Sequence, residues 1–187
     1  MSAPGPARGF AAGGVVVVTG VMAAGKSAVA QALAERLPRA AHVRGDLFRR
    51  MIVSGREEYV PGAGAEAAAQ LRLRHRLSAA TADTYAAAGF TAVVQDVLLG
   101  ADLSAYVALV RTRPLYVVVL APGPDAVAAR EAGRAKTGYG AWTAARLDAE
   151  LRSPRTPRIG LWLDTSAQTV TETVETIMAG TQRARVA

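Results

Sequence analysis

Eight residues near the N-terminus, Gly20–Ser27, have the types and spacing of a phosphate-binding loop. The stretch GVMAAGKS follows the apolar run VVVVT at Val15–Thr19 and precedes a helical pattern at Ala28–Leu37. Glycines let the backbone approach an anion closely, and the loop N–H groups and the helix N-terminus converge on it. Lys26 is predicted to reach the β- and γ-phosphates of a nucleotide, and the Ser27 hydroxyl to bind Mg²⁺. The other predicted nucleotide contacts of this stretch are Gly20, Ala23, Ala24, Gly25 and Ala28.

A phosphate-binding loop alone is compatible with GTPases, remodelling ATPases and small kinases. GTPases recognise their base with Asn-Lys-x-Asp, and neither lysine of the chain, Lys26 or Lys136, lies in such a motif. Remodelling ATPases usually need a longer chain than the 187 residues of this one. The sequence therefore favours a kinase for small molecules, which must hold an acceptor hydroxyl in line with the γ-phosphate.

Two aspartates that follow predicted strands are candidates for the acceptor side. Asp46, after AHVRG, is predicted to act as general base or to orient the acceptor hydroxyl, and its structural alternative is to cap a helix at 47–54. Asp96, after TAVVQ, is predicted either to hold Mg²⁺ or to contact the acceptor, with capping of the next turn as its structural alternative. Of Arg49 and Arg50, one is expected to face the pocket and the other solvent, and Arg49 is the assigned acceptor contact.

Four further basic residues, Arg72, Arg74, His75 and Arg76, cluster on a long helical segment. Arg72 and Arg76 are four residues apart and share a helix face. A solvated face is the main interpretation of this cluster, and an acceptor-lining face is the alternative. His75 is predicted to be structural or to face solvent.

The segment AAREAGRAKTGYGAW, residues 128–142, combines basic residues with three glycines. We predict a lid at about 131–141 that closes over the nucleotide and excludes water. Arg130 and Arg134 are four apart, and we expect them to stabilise the charge that develops on the transferring phosphoryl group. A solvated basic helix end is the alternative. Thr165 and Ser166, in LDTSAQT, have two alternative roles: helix capping, which is the main interpretation, and contact with the nucleotide near the adenine.

These residues need a sheet to position them, and short apolar runs that alternate with helical segments predict one. The predicted strands are 15–19, 41–44, 91–96, 115–120 and 159–164, and the predicted helices are 28–37, 47–54, 66–88, 103–111, 125–131, 142–151 and 169–178. This alternation is typical of βαβ units with a parallel sheet. We therefore predict a single three-layer α/β domain at 14–187, with five parallel strands between helices, after a flexible tail at 1–13.

Composition limits the partners that we expect. The net charge is +7, but no aromatic residues alternate with the basic ones, so we do not expect nucleic acid as a partner. No apolar stretch approaches the roughly 18 residues of a membrane span, and the first residues do not form a secretory signal. The chain has no cysteine, which fits residence in the cytoplasm.

Taken together, the motifs resemble those of the chloramphenicol phosphotransferase-like P-loop kinases, within the wider shikimate, gluconate and nucleotide kinase group. The resemblance spans Val15–Ala179 and rests on GVMAAGKSAVAQALAERLP, HVRGDLFRRM, VVQDVLLG, AREAGRAKTG and LWLDTS. It implies a P-loop NTPase fold, with ATP and Mg²⁺ bound at Lys26 and Ser27. It also implies Asp46 as base, Asp96 after the third strand, and arginines from the lid. The family often has paired aspartates after that strand, whereas Gln95 precedes Asp96 here.

The resemblance implies a small-molecule hydroxyl acceptor, either an antibiotic or another natural product. A metabolic nucleotide or sugar-acid kinase is an alternative, and an ATP-binding regulatory switch without acceptor phosphorylation is another. The sequence does not predict an oligomeric state.

Overall fold

Strands and helices alternate along the chain as predicted. The computed structural model describes residues 9–133 and 142–187. The strands are β1 (Val15–Gly20), β2 (Ala40–Arg44), β3 (Thr91–Gln95), β4 (Leu115–Leu120) and β5 (Leu161–Leu163). The helices are α1 (Lys26–Arg36), α2 (Gly45–Arg50), α3 (Ala65–Ala87), α4 (Ala101–Leu109), α5 (Pro124–Ala132), α6 (Ala144–Arg152), α7 (Val170–Ala179) and α8 (Thr181–Ala184).

The five strands form one parallel sheet in the order β2-β3-β1-β4-β5. All residues of β1, β3 and β4 are buried, because helices cover both faces of the sheet. This explains why these strands are continuous apolar runs instead of alternating polar and apolar residues. The predicted three-layer α/β fold with five parallel strands is confirmed.

Small residues make up most of the buried face of α3, which also includes His75 and Asp83. Ala67, Ser78, Ala79 and Ala82 are buried along it, and none has a long side chain. The segment before α3, residues 51–64, contains no helix or strand, and we call it the crossover segment. It connects α2 to α3.

The ends of the domain differ from the prediction. The tail was predicted to span 1–13, but Phe10 packs edge-on against Tyr116, with ring centroids 4.8 Å apart. Phe10 therefore packs against the domain, whereas Ala11 and Ala12 are exposed. At the other end, α8 leads to an antiparallel bridge between Arg185 and Tyr116, which the sequence did not reveal.

The longest helix, α3, has 23 residues, but it is not a membrane span. Across residues 9–133 and 142–187, no helix combines the length and apolar character that crossing a membrane requires.

Candidate functional site

The register of the sheet brings three predicted site segments to one edge. Val18 of β1 and Arg44 of β2 are both aligned with Gln95 of β3. The phosphate-binding loop, Asp96 and Asp46 therefore follow strands that end in the same row. Since neighbouring strands are about 4.8 Å apart, the loop and Asp46 leave the sheet roughly 10 Å from each other.

The loop Gly20–Ser27 has the backbone geometry of an anion cradle. Gly20 has a φ of 146°, and a Cβ there would lie 2.4 Å from the Leu120 carbonyl oxygen, so only glycine fits. Gly25 has a φ of 93° and begins α1 without a side-chain cap, with open space where a Cβ would be. The first N–H groups of α1 thus lack a capping side chain and face space that an anion can fill.

The two polar side chains at the start of α1 differ in burial. Lys26 is buried, and its ammonium donates to the Val21 carbonyl oxygen at 2.7 Å. Ser27 and Ala28 are exposed. The lysine ammonium, folded back onto the loop, is suited to donate hydrogen bonds to phosphate oxygens. The exposed hydroxyl oxygen beside it is suited to coordinate Mg²⁺.

Arg130 joins the phosphate-binding loop to the segment after β5. Its Nη1 donates to the Ala24 carbonyl at 3.3 Å, and its Nη2 donates to the Thr165 carbonyl at 2.5 Å. Thr165 is buried, and its hydroxyl has no hydrogen-bond partner in the described part of the chain. The structure thus brings Arg130, the loop and Thr165 together, whereas Arg134 and residues 134–141 of the predicted lid lie outside the described residues.

Ser166 and Thr165 do not cap the last long helix, so that alternative is wrong. The cap of α7 is Thr169, which forms a capping box with Glu172. Ser166 instead accepts from the Gly123 N–H at 2.7 Å and donates to Asp164 at 2.5 Å. This hydrogen bond from the Ser166 hydroxyl, with one from its N–H, lowers the pKa of Asp164.

Asp46 lies in the first turn of α2, and its two carboxylate oxygens differ in their contacts. Oδ2 pairs with Arg50 at 2.8 Å, while Oδ1 is buried without a hydrogen-bond partner among the described residues. The Arg44 Nε lies 4.0 Å from Oδ1, beyond hydrogen-bonding distance. The capping alternative is wrong here too, because α2 starts after Arg44 without a side-chain cap.

Asp96 forms an ion pair with Arg74 that the sequence analysis missed. The Arg74 Nε donates to Oδ2 at 2.9 Å, its Nη2 donates to Oδ1, and the Val97 N–H also donates to Oδ1 at 2.7 Å. The Asp96 side chain is fully buried. Gly45 makes room for the pair, since a Cβ at this position would lie 2.0 Å from Oδ2. One signal was available: Arg74 is seven residues after Ala67 and four before Ser78, a spacing that places it on the buried side of α3.

The two predicted metal ligands differ in how well they fit Mg²⁺. Ser27 fits, because its hydroxyl is exposed at the end of the phosphate-binding loop. The geometry of Asp96 favours holding Arg74 over direct coordination, because both its oxygens already accept hydrogen bonds. No group of three or more His, Cys, Asp or Glu side chains that could hold a metal occurs in the residues described.

A small cavity of about 20 Å³ is lined by residues of α2, α3 and the crossover segment. Arg49, Glu57, Tyr59, Gln70 and Arg74 contribute to its lining. Gln70 fastens the segment to α3: its amide oxygen accepts from the Glu57 N–H at 2.9 Å and its Nε2 donates to the Gly55 carbonyl at 2.8 Å. Such a volume holds about one water molecule.

The remaining basic residues of α2 and α3 have separate roles. Arg49 pairs with Glu58, and Arg50 pairs with Asp46. Arg72 and Arg76 are exposed, as predicted for a solvated face. His75 is buried edge-on against Tyr106, where loss of hydration lowers the pKa of its imidazole, so it is structural and does not face solvent.

Solved structures with a similar fold include several kinases. A sugar kinase from Janibacter sp. HTCC2649 is 18% identical with a TM-score of 0.66, covering 91% of this chain and 95% of its own. A gluconokinase from Sinorhizobium meliloti 1021 is 22% identical with a TM-score of 0.60, covering 93% and 94%. The APS kinase CysC of Mycobacterium tuberculosis, solved with AMPPNP and APS, is 19% identical with a TM-score of 0.63, covering 90% and 97%. At these identities, the likeness shows a shared fold.

Sequence comparison adds the family. No curated protein matches the sequence. A family model described as an AAA domain matches residues 15–157, which include the phosphate-binding loop, Asp46, Asp96 and Arg130. The finer resemblance to chloramphenicol phosphotransferase-like kinases is not confirmed by these matches. Because the family model covers well over half of the chain, this protein belongs to that AAA domain family, with a P-loop kinase fold.

Proposed function

We propose that this protein is an ATP- and Mg²⁺-dependent O-phosphotransferase that transfers the γ-phosphoryl group to a hydroxyl of a small molecule. One observation carries the proposal: Oδ1 of Asp46 is buried without a hydrogen bond from the described residues, 4.0 Å from the Arg44 Nε, at the same sheet edge as the phosphate-binding loop. A buried acceptor atom without a donor is costly, and an acceptor hydroxyl would satisfy it.

The donor half consists of the loop and the residues around it. Lys26, the loop N–H groups and Arg130 would hold the phosphates. Thr165 and Ser166 would lie beside the adenine. Mg²⁺ would be held at Ser27, where it supplies positive charge to the phosphates. Arg134 is proposed to join Arg130 from the lid. Arg130 already donates to the loop at Ala24, so its charge lies next to the cradle.

The acceptor half carries out the proton transfer. The acceptor hydroxyl would donate to Asp46 Oδ1 and lose its proton to this carboxylate as its oxygen forms a bond to the γ-phosphorus. The bond from this phosphorus to the bridging oxygen of ADP breaks, and ADP leaves with those electrons. Arg50 holds the second oxygen of Asp46 and so fixes the orientation of the carboxylate. Arg49 and Asp96 complete the proposed acceptor site.

The acceptor is proposed to be an antibiotic, another natural product or a metabolite. The kinases that share the fold act on sugars, gluconate and APS according to their descriptions, so the fold accommodates different acceptors. Use of ATP implies a cytoplasmic location.

A panel of hydroxylated antibiotics, sugars, sugar acids and nucleosides, incubated with ATP and Mg²⁺, tests the proposal. We expect one class to gain a phosphate by mass spectrometry with stoichiometric ADP release, and the Lys26→Ala variant to form no product. A phosphorylated sugar acid or nucleotide would favour the metabolic alternative. Tight ATP binding without product from any compound would favour the regulatory switch and contradict the proposal.

A further inference from the structure

Gln95 and Asp96, at the end of β3, face opposite sides of the sheet. Both carboxylate oxygens of Asp96 accept hydrogen bonds from Arg74 of α3, and its N–H donates to the Val18 carbonyl at 3.3 Å, so the strand geometry continues through Asp96. Successive side chains of a strand alternate between the two faces, so Gln95 lies on the face opposite α3. Gln95 is buried, and its Oε1 has no hydrogen-bond partner among the residues described. The proposed transfer reaction gives this oxygen no role.

Helix α1, which starts in the phosphate-binding loop, lies on the same side of the sheet as Gln95. Gln95 is aligned with Arg44 of β2, and aligned residues of paired strands have their side chains on one face. His42, two residues before Arg44, shares this face and contacts α1, with its Nδ1 2.8 Å from the Gln31 Oε1. Gln95 therefore lies on the side of the phosphate-binding helix, and Asp96 does not.

The spacing along α1 places Ser27 near this glutamine. Ser27 and Gln31 are four residues apart, so they lie on the same side of the helix, about 6 Å apart along its axis. His42 and Arg44 are two residues apart in β2, a distance of about 6.6 Å. Because α1 starts at the carboxyl end of β1 and returns alongside the sheet, the step from Gln31 to Ser27 matches the step from His42 to Arg44. Ser27 therefore lies at the level of Arg44 and of its aligned neighbour Gln95.

Hydrogen bonds around His42 determine which atom of the Gln95 amide is free for a ligand. Gln31 donates from Nε2 to Glu35 at 2.9 Å, so its Oε1 accepts from the His42 Nδ1–H. Burial and the charge of Arg44 lower the pKa of His42, so the neutral ring has a lone pair at Nε2, which is buried without a partner among the residues described. The Gln95 side chain lies next to this ring. The lone pair is satisfied when the Gln95 amide nitrogen donates to it, and this arrangement leaves Oε1 of Gln95 for another donor.

We propose that Gln95 Oε1 accepts a hydrogen bond from a water molecule of the Mg²⁺ held at Ser27, so that an uncharged amide of β3, and not Asp96, faces the metal–nucleotide complex. This inference rests on the proposed function, because the Mg²⁺ is the ion that binds with ATP. Mg²⁺ usually keeps several of its waters in proteins, and each of these waters is a donor. The described parts of the chain contain no group of three or more His, Cys, Asp or Glu side chains that could hold the ion instead. The phosphates, and not a protein carboxylate, would therefore supply the negative charge that binds Mg²⁺.

The Mg²⁺ dependence of AMPPNP binding tests this role of Gln95 without any acceptor. Calorimetry gives the Kd for AMPPNP in EDTA and in saturating Mg²⁺, and the ratio of the two is the gain in affinity from the metal. In Gln95→Leu, which removes the amide at nearly the same volume, we expect this ratio to fall about three- to tenfold with little change of the Kd in EDTA. In Gln95→Glu, which places a negative charge at the same point, we expect the ratio to rise by at least about threefold.

Two further variants separate Gln95 from other carboxylate effects. Gln182→Glu makes the same change of charge at an exposed position of α8 and should leave the ratio within about twofold of the parent value. Asp96→Asn should also leave the ratio unchanged, because the Asp96 oxygens face Arg74. An unchanged ratio in both Gln95 variants would overturn the inference, and so would a ratio that falls in Asp96→Asn but not in Gln95→Leu. The expected ratios in a protein that phosphorylates no compound of the panel would support the role of Gln95 and contradict only the transfer reaction.

Discussion

Among single residues, Asp46 and Lys26 are expected to separate chemistry from binding. Asp46→Asn removes the base but keeps the shape, so we expect kcat to fall about 10²–10⁴-fold while the Kd for ATP stays within a few-fold. Lys26→Ala should abolish both transfer and tight ATP binding. Steady-state kinetics and nucleotide titration measure the two effects.

Asp148→Asn is a matched control for Asp46→Asn. Asp148 also pairs with an arginine four residues later in a helix, at 2.9 Å from Arg152, but lies on α6. The kcat of the Asp148→Asn variant should be close to that of the parent protein. Near-normal turnover of Asp46→Asn itself would remove the assignment of Asp46 as base.

Gly45 is predicted to be required for the Arg74–Asp96 pair. A Cβ at Gly45 would lie 2.0 Å from Asp96 Oδ2, so Gly45→Ala must displace the buried carboxylate. We expect a loss of about 1–3 kcal/mol in the free energy of unfolding and a raised acceptor KM. Gly64→Ala is the control, because nothing lies within 4 Å of a Cβ there. Equal stability of the two variants would show that the pair tolerates displacement.

Asp83 on α3 is predicted to stabilise the fold in a pH-dependent way. Burial alone would raise the pKa of Asp83, but hydrogen bonds from Thr112 and Arg111 outweigh it and hold the pKa below the usual 3.8. A lowered pKa in the folded state stabilises the protein above the unfolded pKa, and this contribution is lost as pH falls through the folded value. We expect Asp83→Asn to cost about 1–3 kcal/mol at pH 7.

Urea unfolding at several pH values measures this cost. The difference between Asp83→Asn and the parent protein should shrink as pH falls below 3.8, because the carboxyl is then protonated first in the unfolded chain and, at still lower pH, in the folded protein. Asp125→Asn, at an exposed carboxylate, should change the free energy of unfolding little at any pH. A pH-independent cost for Asp83→Asn would contradict the assignment to charge.

The sequence indicates the phosphate-binding loop more directly than it indicates the contacts of the predicted acceptor residues, and the reason is physical. A phosphate-binding loop is local, so its glycines, Lys26 and Ser27 are recognisable within eight residues. The partner of Asp96 is 22 residues away on another element. The residue types alone do not show which of Arg72, Arg74 and Arg76 lies on the buried face of α3, although the helix spacing from Ala67 favours Arg74.

At the level of elements, the crossover segment, residues 51–64, is expected to control acceptor entry. Gln70→Ala removes its hydrogen bonds to Glu57 and Gly55, so we expect the acceptor KM to rise several-fold with the ATP KM unchanged. Gln70→Ala also loses a hydrogen bond to Glu66 within α3. Gln31→Ala on α1 is the control, because it loses hydrogen bonds to the Glu35 and His42 side chains on an exposed surface away from this segment. A change in the ATP KM but not in the acceptor KM would contradict this role.

The boundaries of the elements next to the crossover segment were predicted less accurately than the buried strands. The sequence predicted a helix over 47–54, but α2 is Gly45–Arg50, and the chain then continues without helix or strand to Gly64. Buried strands such as β1 were predictable, because a parallel sheet requires continuous apolar runs. The crossover segment has no such periodicity, and side chains outside it hold it in place: Gln70, and Trp142, which donates to the Tyr59 carbonyl at 3.0 Å.

For the whole molecule, the position of the phosphate-binding loop predicts that nucleotide stabilises the entire domain. The loop follows β1, the middle strand of five. Gly20 packs against β4 at Leu120, and Arg130 ties the loop to Thr165 after β5. A ligand in the cradle therefore contacts a strand paired on both sides, with a second link to the edge of the sheet.

Mass action gives the size of this effect. AMPPNP with Mg²⁺ at about 100 times its Kd should add about 2.7 kcal/mol to the free energy of unfolding. For a chain of this length, each kcal/mol raises Tm by roughly 2–4 °C, so a rise of about 5–10 °C is expected in a thermal melt. Lys26→Ala should lose this rise, and Asp46→Asn should retain it, since Asp46 is assigned to the acceptor. Equal loss of the rise in both variants would show that the two halves of the site do not act separately and would contradict the division into a donor and an acceptor half.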